Sequence, residues 1–125
     1  MTDNGKIKMF RFLNWAVYIS ARNVCKSILS LAGKLPNEIR YSLGNQIIRS
    51  STSILLNIAE GSGKSSDREL NRFFDISIGS VNETVANLDF LRDNNFITRE
   101  QFEKTFAELV SISKQLGGFK KSLKR

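Results

Sequence analysis

The sequence predicts an all-α fold, an up-down-up-down antiparallel four-helix bundle. Three observations carry that prediction. Proline occurs once in 125 residues, and no stretch shows the strict alternation of a half-buried strand. Apolar side chains recur instead at the 3.6-residue spacing of amphipathic helices along almost the whole chain. The breaks between these segments are short, and short connections make consecutive helices antiparallel.

The first helix is expected over about residues 9–32, with Leu13, Val17, Val24, Ile28 and Leu31 on one face. The segment GKLPN ends it, because Gly33 suits a C-cap and Pro36 cannot sit inside a helix. The second is expected over residues 38–61, with Ile39, Leu43, Ile47, Ser50, Ile54 and Ile58 facing inward. The stretch NIAEGSGKSS at residues 57–66 resembles a phosphate cradle. The P-loop pattern G-x-x-x-x-G-K-[ST], however, needs glycine where this chain has Ile58, and a strand where it has a helix. The stretch reads as an interhelical turn in which Gly61 and Gly63 can take positive φ and Ser66 caps the third helix. Ser66 and Glu69 have capping-box spacing, and Leu70, Phe74, Ser77, Val81, Val85 and Leu88 carry the inner stripe to about Asp93. The fourth helix starts at Thr98, where Thr98 and Gln101 form a second capping box and Ile97 with Phe102 a hydrophobic staple. Its stripe is Phe102, Phe106, Leu109, Ser113 and Leu116, and Gly117 with Gly118 are expected to weaken or end it.

Length and composition fit a single domain over residues 1–125, large enough to bury a core without disulfides or metals. Cys25 stands alone in an apolar helical run, which excludes an intrachain disulfide and fits a small buried hydrophobe in a reducing interior. The opening MTDNGKIK has no apolar core of a secretory signal. The longest apolar run, residues 12–21, is bracketed by Arg11 and Arg22 and falls well short of the ~20 residues that span a membrane. A cytoplasmic protein without membrane contact is expected.

The net charge of +7 is unevenly spread. Residues 1–34 carry +5, residues 114–125 carry +5, and the middle carries −3. In an up-down-up-down bundle, the start of helix one, the turn between helices two and three and the end of helix four share one end. That end gathers Lys6, Lys8 and Arg11, then Lys64, Arg68 and Arg72, then Lys120, Lys121, Lys124 and Arg125. Asp3, Glu60, Asp67, Glu69 and Asp75 oppose them. A basic pole of this kind suits a polyanion, most commonly RNA or DNA, held through phosphates in a salt-sensitive way. The N-terminus of helix three, beside Lys64 and Arg68, offers a place for a backbone phosphate. Aromatic residues fall mostly on inner stripes, so no base-stacking platform is expected.

Helices one and two hold more apolar residues than one face can bury. Phe12, Trp15 and Ile19 point away from the inner stripe of helix one, and Tyr41, Ile48 and Leu55 repeat on the outer side of helix two. Counting back from the GKLPN turn sets Trp15 level with Leu55 and Ile19 near Ile48. The resulting patch is expected to mediate homo-oligomerisation.

Catalysis has little support. The chain has no histidine, which removes the commonest general base and metal ligand, and one cysteine cannot build an ordinary zinc site. No E-x-x-H pair suggests a di-iron bundle. Glu60 and Glu83 stand about 25 Å apart along the bundle at ~1.5 Å per residue. Glu60 is expected to neutralise a neighbouring lysine or arginine, and Asn57 to make a structural hydrogen bond between helices. No catalytic residue, metal or cofactor is assigned, and a metal-dependent nuclease is disfavoured. The expected function is non-enzymatic nucleic-acid binding, with a protein-interaction scaffold as the alternative.

The segment LGNQIIRSSTSILLNIAEGSGKSSDRELNRFFDISIGSVNE resembles the four-helix-bundle family encoded in intervening sequences of 23S ribosomal RNA genes. Gln46, Arg49, Ser53, Asn57, Ile58, Ala59, Glu60, Gly61, Phe73, Gly79, Ser80 and Glu83 carry the resemblance. KLPNEIRYSLG and LGGFKKSLK are also similar to the accessory variability determinant of diversity-generating retroelements. The resemblance implies a helical bundle assembled as a ring, typically a homopentamer. In the retroelement branch it implies a basic accessory factor working with a reverse transcriptase and its RNA template; in the intervening-sequence branch, the other alternative, it implies a bundle protein of undefined role. The chain departs from the family pattern at Ile48, where a second arginine is frequent, and at Leu55, where a proline is.

Overall fold

The computed structural model describes residues 9–124, and among them every regular element is helical. A 3-10 turn, Arg11–Asn14, precedes α1 (Ala16–Gly33). A short helical turn, Asn37–Ile39, and a π-helical segment, Arg40–Gly44, lead into α2 (Asn45–Ser62). Then come α3 (Asp67–Asp93) and α4 (Arg99–Ser122). Each long helix packs on the next, and α4 closes against α1. Cross-helix pairs fix the directions. Cys25 meets Ser51 while Ala32 lies against Gly44, and Ser50 meets Thr84 while Ser53 meets Ser80. Asp67 meets Lys124 while Asp75 meets Lys120, and Ser20 meets Gln115 while Ser27 meets Glu108. All four contacts are antiparallel, as the expected up-down-up-down bundle requires.

The core follows the inner stripes. Ile28, Ile47, Ile54, Ile58, Phe74, Leu88, Leu109, Ile112 and Leu116 are fully buried. Burying one such side chain stabilises the fold by roughly 1.5–3 kcal/mol. Cys25 is buried on the same side of α1, and its thiol donates to the Ser51 carbonyl at 3.3 Å. Burial pushes the Cys25 thiol pKa up, an effect its contact with Ser51 partly offsets.

Small polar residues hold α2 to α3. Ser77 Oγ donates to the Ile54 carbonyl at 2.7 Å. Thr84 Oγ1 lies 2.9 Å from Ser50 Oγ and 2.8 Å from the Ser80 carbonyl, and Ser53 and Ser80 share a hydroxyl bond of 2.8 Å. Small side chains let the two backbones approach, and each buried hydroxyl finds an acceptor. Asn57 is not the interhelical bridge expected of it. Its Nδ2 turns back along α2 to the Ser53 carbonyl at 2.8 Å and to Ser53 Oγ at 3.0 Å.

Both caps form. Ser66 Oγ accepts from the Glu69 N–H at 3.2 Å, while Glu69 faces Arg72 instead of closing the box. Thr98 and Gln101 make the full reciprocal box. Ile97 and Phe102, the expected staple, are both buried.

Four expectations are corrected. The first helix does not start at residue 9: Trp15 is extended, with φ −79° and ψ 131°, so α1 begins at Ala16 and Leu13 is left exposed. Neither Gly61 nor Gly63 takes positive φ. Gly61 serves close approach instead, since a Cβ there would lie 2.7 Å from Phe73 Cβ and 3.0 Å from Leu70 Cδ1. On α4 the inward positions are Thr105 and Ile112, while Phe106 and Ser113 face out. Finally, Gly117 and Gly118 lie inside α4, which continues to Ser122.

Candidate nucleic-acid interface

Backbone direction alone brings the basic segments together. Arg11 Nε donates to the Ser62 carbonyl at 3.1 Å, tying the chain before α1 to the α2–α3 turn. Lys120 pairs with Asp75, and the Lys124 N–H donates to Asp67 Oδ2 at 3.0 Å, tying the end of α4 to the start of α3. Arg11, Lys64, Arg68, Arg72, Lys120, Lys121 and Lys124 therefore share one end of the bundle. Lys6, Lys8 and Arg125 lie outside the described residues.

These cations differ in freedom. The Arg72 guanidinium sits 4.8 Å from the Phe73 ring centroid and 3.8 Å from Glu69, and Lys64 Nζ sits 5.1 Å from the same ring. The Arg11 guanidinium lies 5.2 Å from the Trp15 ring. Lys120 is held by Asp75 and is mostly covered. Arg68, Lys121 and Lys124 are exposed and make no salt bridge among the described residues. The described part of this end sets seven basic residues against Glu60, Asp67, Glu69 and Asp75. Glu60, expected to neutralise a neighbour, is exposed and makes no salt bridge among the described residues.

The N-terminus of α3 is a poorer phosphate site than its sequence suggests. Asp67 and Glu69 lie in its first turn, where their charges already oppose the positive end of the helix dipole.

The outer apolar residues do not form the continuous patch expected of them. The break before α1 turns Trp15 inward, 4.8 Å from Phe119 and 6.2 Å from Phe74 between ring centroids. Phe12 stacks edge-on with Tyr18 at 4.9 Å. Ile19 is half-buried, and Ile48 and Leu55 are half-buried against the core. The expected register is also displaced. Cys25 meets Ser51 and Arg11 meets Ser62, so Trp15 lies toward Gly61 rather than Leu55. Of the six residues only Tyr41 is fully exposed, at 77%. It lines a groove of about 200 Å³ with Leu29, Ala32, Gly33, Arg40, Asn45 and Ile48.

Sequence reasoning missed a second groove. It opens between the start of α1 and the last turns of α4, has a volume of about 480 Å³, and is lined by Asn14, Trp15, Ala16, Val17, Gln115, Gly118 and Phe119. Trp15 and Phe119 give it aromatic walls, and Gly118 leaves one side open, with nothing within 4 Å of where a Cβ would stand. The unpatterned Gly117–Gly118 pair late in an amphipathic helix was the available signal.

Among the described residues no three His, Cys, Asp or Glu side chains are grouped to hold a metal ion. No described helix is long and apolar enough to cross a membrane.

The fold has close parallels. A crystal structure of a protein of unknown function from the S23 ribosomal protein family of Bacteroides thetaiotaomicron superposes with a TM-score of 0.79 at 31% identity, covering 85% of this chain and 96% of that one. Among curated proteins no significant match is found. The family model of the 23S rRNA-intervening sequence protein matches residues 14–118, from the turn before α1 to the late turns of α4. With that match spanning all four helices, the chain belongs to the 23S rRNA-intervening sequence protein family.

Proposed function

We propose that this chain is a non-enzymatic nucleic-acid-binding protein that works as a homo-oligomer and grips RNA or DNA phosphates with the basic pole of each subunit. One observation carries the reading. Three basic segments far apart in sequence meet at one end of the bundle, joined by the Arg11–Ser62 and Lys124–Asp67 hydrogen bonds. A ring of such subunits, as the family resemblance implies, would repeat the pole around its axis and raise avidity for a long polyanion. The same resemblance suggests an accessory role beside a reverse transcriptase, as in diversity-generating retroelements.

The test is binding of a fluorescent single-stranded RNA or DNA across a salt series. Affinity should fall steeply between about 50 and 200 mM salt, with a log–log slope near −0.7 per phosphate contact. Neutralising Arg68, Lys121, Lys124 and Arg125 together should weaken binding and flatten that slope. Absence of binding at low salt would refute the reading and favour a scaffold whose basic ends dock an acidic protein.

A further inference from the structure

We infer that the groove between α1 and α4 takes one unpaired nucleobase, its flanking phosphates meeting Lys114 and Lys121. The inference rests on the nucleic-acid reading above and adds to it a site for the base itself.

Four features point to this occupant. The volume of about 480 Å³ lies within the ~300–1,000 Å³ of small-ligand pockets. Trp15 and Phe119 supply the aromatic surface on which unpaired bases stack. Lys114 and Lys121 stand four residues before and three after Gly118 on α4, hence one turn to either side of the opening on the same face. Both are exposed, and no carboxylate lines the groove. Gln115 adds a polar group. Its Nε2 donates to Ser20 Oγ and Ser111 Oγ, each at 3.0 Å, and its Oε1 is buried with no hydrogen-bond partner among the described residues.

Charge disfavours a symmetric pairing of this face with a second copy of this chain, and a head-to-tail ring contact is separated by the concentration test below. A two-fold contact on this face would bring Lys114 and Lys121 against their own counterparts. A duplex is also excluded, because its bases are stacked and paired and only an unstacked base can enter.

Trp15 is the single tryptophan of the chain, so its emission reports the groove, and the abasic strand controls for phosphate binding at the neighbouring Arg11. The full-length protein would be titrated at low salt with a single-stranded oligonucleotide, an abasic strand of the same length, and a duplex. The intact strand should quench Trp15 and bind roughly five- to hundredfold tighter than the abasic strand. The abasic strand and duplex should bind with a much smaller change in emission, the part that Arg11 transmits. Gly118→Leu should fill the groove, abolish the quench and remove the extra affinity while leaving abasic binding unchanged. Equal binding of intact and abasic strands to the wild-type protein, with no difference in Trp15 emission between them, would overturn the groove and leave the phosphate pole standing. No binding of any strand would overturn both. A Trp15 emission shift that follows protein concentration alone, with a rise in mass, would assign the groove to a second copy. The wild-type comparison decides the matter even if Gly118→Leu fails to fold.

Discussion

Replacing Gly61 with alanine tests how closely α2 and α3 are pressed together. Gly61 is buried in the last turn of α2, and an added Cβ would fall 2.7 Å from Phe73 Cβ and 3.0 Å from Leu70 Cδ1. Phe73 Cβ is fixed to the α3 backbone, so a rotamer change cannot relieve the clash and the helices must separate. Overpacking of this kind costs about 1–3 kcal/mol. Because the clash is with an atom fixed to the backbone, the cost lies in the upper half of that range, and alanine returns roughly 0.5–1 kcal/mol in helix propensity, so a net loss of at least about 1 kcal/mol is expected. For a chain of this length 1 kcal/mol moves Tm by about 4 °C, so Gly61→Ala should melt at least about 4 °C below wild type by circular dichroism. The internal control is Gly79→Ala on α3, exposed and with nothing within 4 Å of its Cβ position. There the propensity gain is unopposed, and Tm should rise by about 2–4 °C. A Gly61→Ala protein as stable as wild type, or both variants shifting the same way, would refute the claim that Gly61 is required by close approach.

Two further outcomes are expected. Thr84→Val keeps the shape of a fully buried side chain but removes the hydroxyl bonds to Ser50 and Ser80. It should cost about 1 kcal/mol, read as a fall in Tm of about 4 °C at unchanged helical content, and an unchanged Tm would deny the hydroxyls a stabilising role. Leu29 and Tyr41, 55% and 77% exposed beside the smaller groove, offer apolar contacts for the proposed homo-oligomer on the α1–α2 side. Leu29→Glu with Tyr41→Glu should lower the solution mass measured by light scattering while preserving helicity, and an unchanged oligomer would place the subunit contact elsewhere.

The bundle was legible because its helices are amphipathic and its caps are local. Ser66 and Thr98 each bond a backbone N–H three residues on, a pattern that needs no tertiary information. What escaped the sequence was decided by long-range packing. No proline or glycine marks the break at Trp15. The indole is drawn from helical register by Phe74 and Phe119, the latter more than a hundred residues away. On α4 the stripe Phe102, Phe106, Leu109, Ser113 and Leu116 has the four-three spacing of a bundle helix, yet Thr105 and Ile112 hold the inner positions between Phe102, Leu109 and Leu116, a three-four spacing equally compatible with one face. Ala32 lies against Gly44, so the connection between α1 and α2 runs on through the short helical turn and the π-helical segment, and counting from the GKLPN turn alone set the two helices several residues out of level. The basic pole was legible because it needs chain direction alone. The aromatic groove was not, because it follows from the Trp15 break and from α4 running through Gly117 and Gly118.

The row of hydroxyls between α2 and α3 also governs alignment along the bundle axis. Aliphatic helices can slide past one another by a turn and still bury the same oily surface. Here a slide of one turn, about 5.4 Å, would part Ser53 from Ser80 and Thr84 from Ser50, and would take the fully buried Ser77 hydroxyl from its acceptor, the Ile54 carbonyl. The seam thus works as a vernier, setting how far the midpoint hairpin protrudes and hence how deeply Lys64 and Arg68 sit beside the end of α4.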